Sequence, residues 1–314
     1  MIPADANELT SAVLEQFGKT RDPRFRDLLV EAVRHLHQYI RDVHLTEKEF
    51  HQICRAVAQL GQMTTSSHNE VILTAGSFGV SSLVCLLNNG GGGEETTANL
   101  MGPFWRSDSP SAPNGSSLVR GHQTKGVPLF ASIRVVDRKG QPVAGARVDV
   151  WHTSSEGYYE NEDPEQPEMN LRGAFETDVD GRVWFWSLKP AGYPIPVTGP
   201  LGEMLRSQGR HNMRPAHIHF MVHKEGMKTQ FSQVYSEDDP NLESDVQFGV
   251  TKQLIGHYAY HSEEPAPSSE IKAPWYSLEF EFILDQGDSG LPPAPVSGKN
   301  TGDRPARIIL APKS

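Results

Sequence analysis

Arg214-Pro215-Ala216-His217-Ile218-His219-Phe220-Met221-Val222 is the stretch on which the reading of this chain turns. Residues two apart in a strand face the same way, so Ile218, Phe220 and Val222 point to one side. His217 and His219 project together, a spacing that can place two imidazoles on one metal ion. Taken alone, the pair also fits two histidines that hold no metal.

Alternation of the same kind runs outward in both directions. Leu129, Ala131, Ile133 and Val135 alternate up to a turn at Asp137-Arg138-Lys139-Gly140, and Ala146, Val148 and Val150 follow it. Asp178-Val179-Asp180-Gly181 is a second turn, and Val183-Trp184-Phe185-Trp186 reads as the next strand. Near the end, Tyr276, Leu278, Phe280 and Phe282 alternate with Trp275, Ser277, Glu279 and Glu281. Short strands between Gly and Asp turns predict an antiparallel β-sandwich. The chain is therefore expected to be mainly β over 101–284, with a tail over 285–314 that is rich in Pro, Gly and Ser and loosely ordered.

Residues 1–100 have the other period. Leu29, Val33, Leu36, Ile40 and Val43 recur at the spacing of a helix that packs on another helix. Thr46-Glu47-Lys48-Glu49 is a capping box, and the helix it starts carries Phe50, Ile53, Val57 and Leu60 on one face. A third apolar segment runs from Val71 to Leu87 and ends in glycines at 90–93.

With 314 residues, 37% hydrophobic and 22% charged, the chain can bury a sizeable core. A formal net charge of −10 argues against nucleic acid as a partner. Cys54 and Cys85 sit in apolar stretches and are expected to be buried, reduced thiols. There is no signal-peptide pattern at Met1-Ile2-Pro3-Ala4-Asp5 and no apolar run of the ~20 residues that span a bilayer, so a cytoplasmic location is expected. His35, His37, His44 and His51 lie among charged neighbours and read as solvated helix surface, and His257 and His261 are read the same way.

Tyr159 and Tyr193 lie in turn-rich segments. A phenol ionises at neutral pH only beside a strong Lewis acid. Two phenolates and two imidazoles would hold Fe(III). A zinc or Fe(II) site built from His217, His219 and Glu160, and a sandwich that binds ligands without metal, are the competing readings of the same residues.

The ordered motifs resemble the intradiol ring-cleavage dioxygenases, in the branch that acts on catechol, chlorocatechol and hydroxyquinol. They are Arg21-Asp22-Pro23-Arg24, Leu45-Thr46-Glu47, Gly102-Pro103-Phe104-Trp105, Gly157-Tyr158-Tyr159, Glu168-Met169-Asn170-Leu171-Arg172-Gly173, Tyr193-Pro194-Ile195-Pro196 and Gly209-Arg210-His211 leading into the histidine strand. Asp245-Val246-Gln247-Phe248-Gly249-Val250 and Ala273-Pro274-Trp275-Tyr276-Ser277-Leu278 complete the series. The resemblance implies Fe(III) held by Tyr159, Tyr193, His217 and His219, with Tyr193 leaving as substrate binds. It implies catalytic roles for Arg214 and Gln233, and a substrate pocket that includes Leu73, Gly76, Pro103, Phe104, Ile195 and Pro196. The implied substrates are a small aromatic diol and O2. The implied assembly is a homodimer through the N-terminal helices, with phospholipid in an apolar channel between them.

The chain departs from the family pattern at two places, a conservative one beside the ligand tyrosine and one that bears on substrate. The residue after the ligand tyrosine is Glu160 where the family usually has Asp. Hydroxyquinol-cleaving relatives often carry Leu-Ser-Asp where this chain reads Leu73-Thr74-Ala75-Gly76. The absent acid and the room expected beside Gly76 favour catechol or an alkyl-substituted catechol over hydroxyquinol, while the Tyr193–Pro200 and Gly209–His219 stretches point the other way.

Overall fold

A computed structural model describes residues 2–89, 98–121 and 124–311; the glycines at 90–93 lie outside them. The chain divides into two compact units, Met1–Ala58 and Gln59–Ser314. That division falls well before residue 100, because the helices after Met63 pack with the β-rich unit.

The first unit holds α1 (Ala6–Phe17), α2 (Pro23–Asp42) and most of α3 (Glu47–Met63). Asp22 caps α2, its carboxylate accepting from the Phe25 N–H at 2.6 Å, and Pro23 opens the first turn. The capping box forms: the Thr46 N–H reaches Glu49 at 2.9 Å, and the Glu49 N–H reaches Thr46 at 3.3 Å. The apolar stripe of α2 is largely open, with Leu36, Ile40 and Val43 exposed. Cys54 is exposed on α3 and Cys85 only half-buried, contrary to the expected burial, because α3 and the helix carrying Cys85 bury no residue fully.

In the second unit the segment from Val71 to Leu87 is two helices, α4 (Glu70–Ser77) and α5 (Val80–Asn89), joined at a 74° bend. Gly79 between them has φ +71°, which ends one helix and turns the chain into the next. Among the described residues no single helix is long and apolar enough to cross a membrane.

The rest is the expected sandwich. Its strands are β1 (Pro128–Asp137), β2 (Arg147–His152), β3 (Arg172–Glu176), β4 (Arg182–Leu188), β5 (Tyr193–Pro194), β6 (Met213–Arg214), β7 (His217–His223), β8 (Gln230–Ser236), β9 (Ile255–Gly256), β10 (Tyr258–His261) and β11 (Trp275–Leu284), with α6 (Pro200–Gln208) between β5 and β6. One sheet runs β10-β11-β1-β4 and the other β3-β2-β7-β8-β9. Pairing is antiparallel except between β1 and β11 and between β8 and β9. Ile133 and Val135 of β1, Val148 and Val150 of β2, Ile218, Phe220 and Val222 of β7, and Phe282 of β11 meet between the sheets at 0% exposure. Each such side chain contributes roughly 1.5–3 kcal/mol by leaving water.

The tail is not loose. Val296 is buried, Ala294 and Leu310 pack against the aromatic cluster described below, and the Leu310 N–H donates to the Asn212 side chain at 2.9 Å. A Pro- and Gly-rich segment can be held by specific polar contacts without any apolar period, and this one is.

Candidate metal centre

The core claims one face of β7 and leaves the other to the site. With Ile218, Phe220 and Val222 between the sheets, His217, His219 and Met221 face outward, and Met221 joins a second buried cluster with Tyr159 and Tyr193. Register continues that face across the sheet: Trp151 of β2 lies opposite His219, Gln233 of β8 opposite His219, and Tyr235 opposite His217.

Four donor atoms converge there. Tyr159 Oη lies 3.5 Å from Tyr193 Oη and 3.3 Å from His217 Nε2, which is 3.2 Å from His219 Nε2. All four side chains are buried, at 1–3% exposure. His217 Nδ1–H donates to the Pro215 carbonyl at 2.6 Å, so its Nε2 presents a lone pair to the cluster. The His219 ring stacks on Trp151, centroids 4.8 Å apart and planes 9° off parallel.

Burial keeps these groups neutral in the absence of a cation. It pushes the Tyr159 phenol well above its ordinary value, with Tyr193 adding to the effect, and raises Tyr193 too. It pushes the His217 imidazole down to about 3, with Arg214 contributing, and His219 well below its ordinary value, with His217 contributing. Two phenol oxygens and two imidazole Nε2 atoms at one buried point form a donor set that suits a hard trivalent cation. The zinc or Fe(II) alternative loses its carboxylate, because Glu160 is bound to Arg172 at 2.7 Å and to Arg106 at 3.2 Å. Among the described residues no group of three or more His, Cys, Asp or Glu is arranged to hold a metal ion.

The loops that bring the phenols in are tied together. Gly157 has φ +78°, and a Cβ there would lie 2.9 Å from the Tyr193 Cβ, so only glycine lets the two tyrosine loops approach this closely. Arg307 of the tail donates to the Pro194 carbonyl at 3.1 Å and to the Gly157 carbonyl, and pairs with Glu162 at 3.2 Å.

Arg214 pairs with Tyr193 across the short β5–β6 ladder, and its Nη1 is 3.2 Å from His217 Nε2. Burial opposes its charge, but Asp245 and the surrounding phenols more than offset this, so the guanidinium stays protonated. Asp245 holds it at 3.1 Å, and Gln233 Oε1 accepts from it at 2.9 Å. Gln233 Nε2 in turn donates to the Leu100 carbonyl at 2.7 Å, so both ends of that amide are used to position Arg214.

Among the expected pocket residues, Leu73, Phe104 and Ile195 lie in the cluster with Tyr159 and Tyr193, and the Phe104 ring packs on Tyr159 at 4.5 Å. Pro103 is buried and Pro196 half-buried. Gly76 opens no room: Gln247 Oε1 lies 2.0 Å from where its Cβ would stand. Trp151 and Tyr235 were not singled out from sequence, and Asp245 and Gln247 stood in a quoted motif without a role. The strand period places Trp151 and Tyr235 on the histidine face, while Asp245 and Gln247 lie in a segment with no period to read.

Comparison with known proteins gives the family. Residues 22–94 match the family model for the catechol dioxygenase N terminus, and residues 100–286 match the dioxygenase model. The chain is 35% identical over 275 residues to a hydroxyquinol 1,2-dioxygenase of Rhizobium sp., covering 87% of this chain and 92% of that one. It is 36% identical over 251 residues to a catechol 1,2-dioxygenase of Candida albicans, covering 79% and 83%. The structure of a hydroxyquinol 1,2-dioxygenase from Pseudomonas putida superposes with a TM-score of 0.80 at 34% identity, covering 90% of this chain and 99% of that one. The chain belongs to the intradiol ring-cleavage dioxygenases, and it is an enzyme of the 1,2-dioxygenase kind.

Proposed function

We propose that Tyr159, Tyr193, His217 and His219 hold one Fe(III), and that the enzyme opens a catechol-type ring between its two hydroxyl-bearing carbons to give a muconate-type diacid. The observation that carries this reading is the convergence of two phenol oxygens and two imidazole Nε2 atoms at a buried point. Fe(III) bound there supplies a Lewis acid that ionises the phenols and polarises a diol bound beside it. The protein supplies the rest. Tyr193 would be one of the residues that hold the metal, and its Oη would take a proton from the diol. Arg214 stabilises negative charge on the deprotonated ring. Gln233 acts through Arg214 and is a positioning residue. Leu73, Phe104 and Ile195 form apolar walls for the ring.

The substrate is a small aromatic diol, with O2 as co-substrate. Gly76 offers no space for an alkyl group, which removes one reason for favouring a substituted catechol. We also infer a homodimer through the helical unit, supported by the open stripe of α2, a face that also suits phospholipid acyl chains.

The visible spectrum of the purified protein tests the metal centre. Phenolate on Fe(III) gives a broad charge-transfer band that shifts when catechol is added without oxygen, and Tyr193→Phe weakens the band. Stoichiometric metal with no visible band would overturn the two-tyrosine site.

A further inference from the structure

We propose that Arg307 of the C-terminal tail is a positioning residue for the metal centre: its guanidinium bridges the segments that carry Tyr159 and Tyr193 and so sets the separation of their phenol oxygens. This rests on the four-donor site proposed above, and it adds a residue beyond Gln286, where the match to the family model ends.

The two phenols lack the frame that the histidines have. His217 and His219 share one strand, β7, whereas Tyr159 lies outside the strands and Tyr193 opens the two-residue β5. The tyrosines are 34 residues apart in sequence, yet their oxygens stand 3.5 Å from each other. Something outside both segments must fix that spacing if both oxygens are to reach one ion. Arg307 does so from the tail. Its Nη1 donates to the carbonyl of Pro194, the residue after Tyr193, at 3.1 Å. Its Nη2 donates to the Gly157 carbonyl and pairs with Glu162 Oε2 at 3.2 Å. That same carboxylate oxygen accepts from the Tyr159 N–H at 3.3 Å. A planar fork can serve separate acceptors in this way, and the point charge of a lysine cannot.

Arg307 is itself held in place. Its guanidinium lies 3.9 Å from the centre of the Tyr158 ring, and that of Arg304 lies 4.1 Å from the same ring. The Tyr158 hydroxyl donates to the Pro305 carbonyl at 3.0 Å. Asn212 fastens the next turn of the chain, its side-chain nitrogen donating to the Ile195 carbonyl at 2.7 Å and to the Ile308 carbonyl at 2.9 Å. Residues 304–308 are thus tied to the residue before Tyr159 and to the two residues after Tyr193. All the anchors near Tyr193 are backbone carbonyls, so its phenol keeps the freedom to swing on its own side-chain bonds. Arg307 stands 5.8 Å from the centre of the Tyr193 ring and acts through the backbone of the two segments.

The test compares iron-loaded wild type with Arg307→Met, Arg307→Lys and Val296→Ala. The readouts are the visible phenolate-to-iron band of the resting protein, the rate at which a chelator removes the iron, and urea unfolding. Arg307→Met is expected to lose iron about 10–100-fold faster and to show a weakened or shifted band while still folded. Arg307→Lys keeps the charge without the fork and is expected to follow it. Val296→Ala trims a buried tail residue that makes none of these contacts, and it is expected to lower the urea midpoint with the band unmoved. A wild-type band and wild-type iron release in Arg307→Met overturn the assignment and leave the four-donor site standing. A Val296→Ala change in band as large as that of Arg307→Met overturns it too, because any loosening of the tail would then suffice. Should Arg307→Met not fold, Arg307→Lys decides alone, and wild-type behaviour there overturns the bridge. A wild type with stoichiometric iron and no band rejects the four-donor site, and this assignment with it.

Discussion

Arg172 is where a single substitution is expected to cost most without touching a donor atom. The side chain is 1% exposed, and each of its polar corners is engaged: Nε with Glu160 Oε1, Nη1 with the Phe104 carbonyl and Nη2 with Asn161 Oδ1, all at 2.7 Å. Burial pulls the guanidinium below its ordinary value, with Glu160 opposing. Arg172→Met removes the charge and leaves Glu160 buried, with Arg106 at 3.2 Å as its remaining cation. Breaking a buried pair by removing one partner costs about 3–5 kcal/mol. The orphaned Phe104 carbonyl and Asn161 oxygen keep the loss toward the upper end. Removing Glu160 as well takes away the uncompensated charge. Glu160→Met/Arg172→Met should therefore cost less than the two single changes added, with a coupling on the order of 1–3 kcal/mol. Urea unfolding followed by tryptophan fluorescence measures this in the right place, because Trp105, Trp151, Trp184, Trp186 and Trp275 all lie in the second unit. A loss under about 1 kcal/mol for Arg172→Met, or additivity of the two changes, refutes the reasoning.

His152 is buried on β2, its Nδ1–H donating to the Thr153 carbonyl and its Nε2 accepting from Ser187, and burial pushes its pKa from 6.5 down to about 4. Below pH 6.5 the unfolded chain takes up a proton that the folded chain refuses, so stability is full above 6.5 and falls as the pH drops towards 4. The loss amounts to on the order of 3 kcal/mol. His152→Gln should lack that part of the slope in pH-dependent unfolding, and parallel wild-type and variant curves would show that His152 does not carry it. Ile40→Glu puts a charge into the open stripe of α2 and should halve the mass seen by light scattering; an unchanged dimer, or a monomeric wild type, speaks against pairing through that face.

How far the sequence reached depended on the kind of order involved. Period two along β7 placed three residues in the core and two histidines together, because a sandwich core enforces alternation. The same rule held for β1, β2, β4 and β11. It could not give the parallel pairing of β11 with β1, since strand period carries no information on partners distant in sequence. Tyr159 and Tyr193 lie in segments without a period, and resemblance to a family was what gave them the role of ligands. Their placement comes from long-range contacts: the close approach at Gly157 and the grip of Arg307 on two loop carbonyls. Composition misread the tail for the same reason, because Arg304 and Arg307 hold it through Asp163, Glu162 and the Tyr158 ring rather than through an apolar stripe.

This division of labour bears on which of the four proposed ligands can move. His217 and His219 belong to a seven-residue strand with hydrogen-bonded neighbours on both sides, and shifting either would disturb three core residues of the same strand. Tyr159 is wedged against Phe104 at 4.5 Å, and the next residue, Glu160, is clamped by Arg172. Tyr193 opens a strand of only two residues whose sole ladder partner is the two-residue β6. Swinging its phenol requires no change in either large sheet. The cation at Arg214 stands directly across that ladder, where it can meet the charge of a phenolate or of a deprotonated ring that takes the phenolate's place. Of the four donors, Tyr193 is therefore the one whose displacement the fold makes cheapest, which is the property a ligand must have if it is to give way to substrate.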